Sequence, residues 1–328
     1  MDTLNIGLIG LGYIGQVHLN NGLKLQNAKL TAVADISKNA LKRAQKLGIP
    51  KVYQDYNQLI EKSGVDAVII ALPTHLHYES ALVAAENGKH ILLEKPLARG
   101  TIEGSKILAV VDKHDVKLMI GHPLRFSDNC VKLKERIDTG ELGEVQVAYA
   151  TNIGTGPFVH RAETGAPSPV PEWWWKNSLT GGGALIDLGS HMIDLARWYF
   201  GNVVGARSHL GYRFRLENED SALCLLEFEQ GQICVINVGW FSQQQQLKFE
   251  VCGTAGHATT ETKKQGKMKI AMQLLLRKTS PFNIPYLKEI QHFVDCIHND
   301  EQPQPSGEDG LKDLQAIETA YANQITLS

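Results

Sequence analysis

Apolar and polar positions alternate in blocks through the first third of the chain. Leu4 to Ile9 is a short apolar run, Tyr13 to Leu25 carries apolar residues at helical spacing, and Leu30 to Ala34 is apolar again and ends at Asp35. Ser37 is placed to cap a helix that runs to about Leu47. Val65 to Ala71, His90 to Leu93 and Val116 to Ile120 are further apolar runs with helical stretches between them. A strand that is apolar along its whole length is buried on both faces, so the pattern predicts a doubly wound parallel sheet over residues 1–121. After about Gly121 the order changes. Asp128 to Thr139 reads as a helix, Glu144 to Asn152 as a strand, Thr155 to Glu172 as a long loop rich in Gly and Pro, and Ala184 to Phe200 as a helix. From Val203 to Ile270 strands follow one another through short turns, and two helices, about Pro285 to Asn299 and Glu308 to Gln324, close the chain. Strands in bulk after a βαβ half predict an α+β second domain over residues 122–328, with a mostly antiparallel open sheet.

The length, 328 residues, exceeds one compact core of average size and agrees with two domains. The net charge of −2, with both signs interspersed, leaves no basic tract for nucleic acid and no basic amphipathic segment for a membrane surface, so the expected partner is a small molecule. The longest apolar stretch, Val65 to Pro73, is too short to cross a bilayer. Met1-Asp2-Thr3 runs into a strand without the regions of a signal peptide, and the five cysteines form no Cys-x-x-Cys pair. A cytoplasmic protein without a disulfide framework or a thiolate zinc site is expected.

Gly10-Leu11-Gly12-Tyr13-Ile14-Gly15 is a Gly-x-Gly-x-x-Gly that follows an apolar strand and opens a helix, the setting in which the motif binds a dinucleotide in a Rossmann domain. Gly10 permits the tight turn, Gly12 lets the backbone approach a pyrophosphate, and Gly15 lets the helix pack on the strand. Asp35, at the end of the second strand, is placed to accept hydrogen bonds from the adenosine ribose and to repel a 2′-phosphate. NAD is therefore the expected cofactor. Lys38, Lys42 and Arg43 on the following helix keep NADP open. Leu72, Pro73, Thr74 and His77 follow the fourth strand, beyond whose carboxyl end ligands bind in such sheets. His75 and His77 lack the further ligands a metal needs, and no metal is expected.

Glu94-Lys95-Pro96 ends the fifth strand, where an ammonium among apolar strands is partly desolvated and can stabilise charge on a substrate oxygen. Alone, Lys95 reads as a surface lysine paired with Glu94. The segment from Gly181 to Asp194 carries three consecutive glycines, a bare backbone that another group can approach, and then Asp187, His191 and Asp194 at helical spacing. A histidine with a carboxylate one turn away suits a general base. A solvated polar stripe and a metal site through the three side chains are the competing readings.

Together, the glycine motif, Asp35, Glu94-Lys95-Pro96 and the Gly-Gly-Gly to Asp187-x-x-x-His191 segment resemble the Gfo/Idh/MocA family, which includes glucose–fructose oxidoreductase and inositol dehydrogenases. The resemblance covers essentially the whole chain, including Tyr286-x-x-Glu289-x-x-x-Phe293 near the end. It implies that Lys95, Asp187 and His191 are the catalytic set. It also implies that the substrate is a secondary alcohol of a sugar, sugar acid or polyol, whose C–H gives a hydride to the nicotinamide while His191 removes the hydroxyl proton. The expected cofactor-binding residues are Gly10, Gly12, Tyr13, Ile14, Gly15, Asp35, Leu72, Pro73, Thr74, His77, Glu94, Lys95 and Arg125. The expected substrate-binding residues are Lys95, His122, Asp187, His191 and Tyr286. Arg125 reads as a ligand for cofactor or substrate, or as half of a structural ion pair, and one of Trp173, Trp174 and Trp175 is expected at the site. Two rivals stand: a sugar- or dinucleotide-sensing regulator without turnover, and a reductase of a nucleotide sugar or non-sugar compound, for which Arg125 and Arg161 could supply positive charge. The strands Ala222–Phe228 and Ile233–Trp240 are apolar on both faces, which predicts a homodimer or homotetramer built through the second-domain sheet.

Overall fold

The structure is a computed structural model, and it describes residues 3–156, 160–161, 167–168, 171–261 and 283–325. By its internal contacts the chain forms two units. The first contains residues 3–98, Ile102–Ser127 and the segment from Asn283 to Gly310. The second contains Arg99–Thr101, Asp128–Glu261 and Leu311–Ile325. No helix among the described residues is long and apolar enough to cross a membrane.

The first unit is the expected parallel sheet. Its strands are β1 (Leu4–Ile9), β2 (Ala28–Ala34), β3 (Lys51–Tyr53), β4 (Ala67–Ile70), β5 (His90–Glu94) and β6 (Leu118–Gly121), in the order β3-β2-β1-β4-β5-β6 and all parallel. The helices between them are α1 (Tyr13–Gly22), α2 (Lys38–Lys46), α3 (Tyr56–Lys62), α4 (His77–Glu86) and α5 (Thr101–Lys113). The chain order reverses between β1 and β4, the switch point at which a doubly wound sheet binds its ligand. Ala67 to Ile70 and Ile91 to Glu94 are buried, as two-sided coverage requires. Ser37 caps α2 by accepting from the Ala40 amide.

The second unit begins with α6 (Asp128–Asp138) and β7 (Val145–Ile153). The stretch read as a long loop carries a short antiparallel ribbon, β8 (His160–Arg161) with β9 (Pro167–Ser168), because paired backbone groups there satisfy one another rather than water. A 3-10 turn over Glu172–Trp175 and the single turn α7 (Asn177–Thr180) lead to the glycine segment, followed by α8 (Ser190–Phe200). Next come β10 (Val203–Gly211), β11 (Ser221–Phe228), β12 (Ile233–Gly239), β13 (Gln246–Gly253) and β14 (Gly256–Thr259), in the sheet order β10-β11-β12-β7-β13-β14. All pairs in this sheet are antiparallel except β12 with β7. Residues 262–270, which the strand pattern includes, lie outside the described residues. On β11 and β12, Ala222, Cys224, Leu226, Cys234, Ile236 and Val238 are buried on one face. The other face presents Leu223 and Ile233 exposed and Leu225 and Val235 half-buried.

The chain ends in α9 (Ile284–His298) and α10 (Gly307–Ala322). Ile290, Phe293 and Val294 of α9 are fully buried among Leu4, Leu19 and Leu30 of the parallel sheet and α1, which is why α9 belongs to the first unit although a boundary at residue 121 groups it with the second.

Candidate active site

In the first unit the three motif glycines divide their labour by what surrounds them. Gly10 has φ +92°, and a Cβ there would run into the Ala71 carbonyl; a Cβ on Gly15 would run into the carbonyl of Gly10. Those two are required by the protein's own backbone. A Cβ on Gly12 would meet nothing within 4 Å, so its bare face is turned to open space, as a backbone that receives a pyrophosphate requires. Tyr13, beside it, is exposed. Asp35 is half-buried and locks the end of β2 to this loop: its carboxylate accepts from the Leu11 amide at 2.6 Å and the Ser37 amide at 2.7 Å. Each oxygen keeps a lone pair for a ribose hydroxyl. Lys38, Lys42 and Arg43 are exposed along α2.

The ends of β4 and β5 are tied by His77, whose Nδ1 lies 2.8 Å from the Pro96 carbonyl and whose Nε2 lies 2.8 Å from the Leu72 carbonyl. Complete burial lowers its pKa, opposed by those two carbonyls and by Glu94. Both ring nitrogens face main-chain oxygens, which makes the ring a clip between the two loops rather than a metal ligand. Beside it, the buried Glu94 carboxylate lies 2.7 Å from His18 Nε2. Burial pushes the Glu94 carboxyl up, but the hydrogen bond to His18 and the charges of His18, Lys95 and His77 outweigh it and hold the group below its usual range. Tyr286 stands edge-on to His18 with centroids 5.8 Å apart, so in this structure it is a component of the first unit. Lys95 is half-buried at the head of this cluster. Thr74 and His122 are buried, and the buried Arg125 guanidinium lies 3.5 Å from Asp309, the structural pairing that the sequence left as one of its two readings.

In the second unit Asp187 and His191 are both half-buried, on successive turns at the start of the buried helix segment. The helix is not regular there: Leu185–Gly189 is a π turn, and α8 begins only at Ser190. The α-helical spacing expected between Asp187 and His191 is therefore replaced by a wider turn, because a π turn accommodates an extra residue. Neighbouring side chains support the widened turn. Asn152 Nδ2 donates to the Leu188 carbonyl at 3.1 Å, and Ser190 Oγ donates to the Asp187 carbonyl at 3.1 Å. The Asp187 carboxylate accepts from Trp240 Nε1 at 3.0 Å. Asp194 is 0% exposed and Arg197 pairs with Asp313 at 2.6 Å under cover, so the polar stripe of α8 faces the interior rather than water.

The three glycines are filled by the protein itself. A Cβ on Gly181 would strike the Arg99 carbonyl, one on Gly182 the Tyr321 hydroxyl, and one on Gly183 the Glu219 carbonyl. Glu219 and Trp240 are the residues that sequence reasoning missed. Glu219 sits in Asn218-Glu219-Asp220, which reads as the polar end of a loop, yet all three are buried. Burial raises the Glu219 pKa, against the lowering effect of the Leu185 amide, the Tyr321 hydroxyl and the Gly183 amide. A run of polar residues directly before an apolar strand was the available signal. Trp173 and Trp174 stack at 5.6 Å and, with Trp175, are half-buried.

Residues 4–122 match the model of the oxidoreductase family with an NAD-binding Rossmann fold, and residues 130–259 match the GFO/IDH/MocA C-terminal domain. The chain is 29% identical to myo-inositol 2-dehydrogenase of Thermotoga maritima, over 94% of this chain and 92% of that one. It is 30% identical to the scyllo-inositol 2-dehydrogenase (NAD(+)) of Bacillus subtilis, over 90% and 86% of the two chains. The solved scyllo-inositol dehydrogenase from Lactobacillus casei, with bound cofactor NAD(H) and scyllo-inositol, superposes with a TM-score of 0.82 at 25% identity, covering 98% of this chain and 97% of that one. With its open Gly12 cradle on a parallel sheet and a mixed sheet behind the glycine-led helix, the chain belongs to the Gfo/Idh/MocA oxidoreductase family and begins with that family's NAD-binding Rossmann domain.

Proposed function

We propose that the chain is an NAD-dependent dehydrogenase acting on a secondary alcohol of a sugar or polyol of the inositol kind. The observation that carries the reading is the placement of Asp187: a half-buried carboxylate, oriented by Trp240, on a π turn directly before His191. Turns of that kind occur frequently at functional sites. In this reading His191 takes the hydroxyl proton, Asp187 holds the imidazole in its working orientation, and Lys95 donates to the substrate oxygen and stabilises the charge that grows on it. The turn that Gly10 and Gly15 permit presents Gly12 to the pyrophosphate, and Asp35 takes the ribose hydroxyls. When bound, the nicotinamide supplies the hydride chemistry, and the chain supplies orientation and electrostatics. The Asp35 charge disfavours a 2′-phosphate, so NAD is preferred over NADP. The names of the inositol dehydrogenases among the relatives support the substrate class.

The test is a panel of polyols, aldoses and sugar acids with NAD and with NADP, followed by nicotinamide absorbance. The expected outcome is NAD-linked turnover of a cyclic polyol or sugar, unaffected by chelators. Lys95→Ala and His191→Ala should each lose about 10²-fold or more in kcat with little change in NAD affinity. Saturable sugar binding without turnover would assign the chain to the regulators instead, and tighter binding of NADP would transfer the ribose role to Lys38, Lys42 or Arg43.

A further inference from the structure

Asn218, Glu219 and Asp220 immediately precede β11, and each ties a different segment of the second unit. Asn218 Nδ2 donates to Thr180 Oγ1 at 3.0 Å, and that hydroxyl donates to the Gly182 carbonyl at 2.7 Å. The Asp220 carbonyl accepts from the Trp240 amide at 2.8 Å, which fixes the backbone of the residue whose indole holds Asp187. Glu219 is the centre of the arrangement. Its Oε2 accepts from the Gly183 amide at 3.0 Å, and its Oε1 accepts from the Leu185 amide at 2.9 Å and from the Tyr321 hydroxyl at 2.8 Å. Its main-chain carbonyl takes the Ala184 amide at 3.0 Å.

Three consecutive amides at the head of the turn, Gly183, Ala184 and Leu185, are thus all consumed by one residue. A helix start leaves such donors without intrahelical partners, and its positive dipole end favours a carboxylate. Glutamate is not at the capping position in the chain; it comes from 34 residues downstream of Leu185, so the cap is tertiary. The close approach this demands explains the glycines: side chains on Gly182 and Gly183 would occupy the space of Tyr321 and Glu219.

We propose that Glu219, backed by the Tyr321 hydroxyl, is a positioning residue that fixes the entry of the chain into the π turn and thereby the placement of Asp187 and His191. The inference rests on the proposed roles of Asp187 and His191 in turnover. A carboxylate is required because both oxygens must accept. Glutamine in its place retains one acceptor and turns an amide donor toward either the Gly183 amide or the Leu185 amide and Tyr321 hydroxyl. Tyr321 holds the carboxylate in that two-sided pose, and its oxygen also receives the Gly183 amide at 3.3 Å.

Two variants, Glu219→Gln and Tyr321→Phe, in the full-length protein test this with two readouts. Amide hydrogen exchange at Gly183 and Leu185 reads the clamp directly and needs no substrate; it should accelerate by about tenfold or more in Glu219→Gln and less in Tyr321→Phe. Steady-state kinetics on the substrate found in the panel should show kcat lowered by about tenfold to a hundredfold in Glu219→Gln, with KM within about threefold and NAD affinity unchanged. With a C-deuterated substrate the primary isotope effect on kcat should rise as the misplaced groups slow the hydride step. If Glu219→Gln does not fold, Tyr321→Phe, which removes a single hydroxyl, decides the matter by the same readouts. Unchanged exchange at both amides, or faster exchange with wild-type kcat and isotope effect, overturns the proposal. A wild-type protein with no turnover on any substrate defeats the functional reading alone, and the exchange measurement then decides whether Glu219 clamps the turn.

Discussion

At the scale of single residues, the proposed site is organised by groups that touch the side chains proposed to react rather than by those side chains alone. Trp240 is 1% exposed and packs against Gly156, where a Cβ would collide with the indole, so its Nε1 has little freedom to leave the Asp187 carboxylate. A hydrogen bond to a charged acceptor contributes about 1.5–3 kcal/mol, and the lower end applies to a carboxylate that is only half-buried. Trp240→Phe keeps most of the ring volume and deletes the donor. It should lower kcat/KM about tenfold and leave NAD affinity as it was, measured by initial rates and by cofactor titration. A variant with wild-type kcat/KM would remove Trp240 from the orientation of Asp187. The sequence named Asp187 and His191 because an Asp and a His four apart are visible in one dimension. It did not name Trp240, 53 residues from Asp187 along the chain, because no periodicity connects them.

At the scale of elements, α1 and β5 are joined by the His18–Glu94 contact under full cover. The Glu94 carboxyl is held below its usual value of 4.5. A carboxylate with a depressed folded-state pKa contributes stability that is complete above the unfolded-state value and is lost as pH falls through the folded-state value. The stability difference between the wild-type protein and Glu94→Gln should therefore be constant from neutral pH down to about 4.5 and shrink below it, as read from urea unfolding midpoints across pH. A constant difference down to pH 3 would mean that Glu94 gains nothing from His18. The element boundaries were legible where period and capping agree: β1, β2, α2 and β5 fall within a residue or two of the apolar runs and of Ser37. The π turn was not legible. Ala184 to Phe200 reads as one helix because the hydrogen bond from Asn152 to the Leu188 carbonyl, which supports the widened turn, comes from a residue whose position only the fold supplies.

At the scale of the whole molecule, the second-unit sheet leaves one apolar face without cover among the described residues. The registers place Leu225 beside Val235 and Val235 beside Tyr149, with Leu223 and Ile233 flanking them. Leu223 is 51% and Tyr149 49% exposed. A two-fold pairing of like faces is the commonest way to bury apolar residues left open on a sheet. Light scattering at low micromolar concentration should give a dimer or tetramer, and Leu223→Glu with Val235→Glu should shift the mass toward the monomer. A monomeric wild-type protein would mean that another segment covers the face. The sequence by itself determined the parallel sheet, the glycine cradle and the acidic end of β2, because each rests on local period, spacing or a short motif, and it named Lys95, Asp187 and His191 as the residues on which the proposed function rests. Only the tertiary structure decided which sheet α9 covers, where Tyr286 stands, what fills the three glycines and what holds Asp187. Those outcomes depend on contacts between residues far apart in the chain. Glu219 is polar in the sequence and buried in the fold because three amides and a hydroxyl converge on it, a balance that no single stretch of the chain contains.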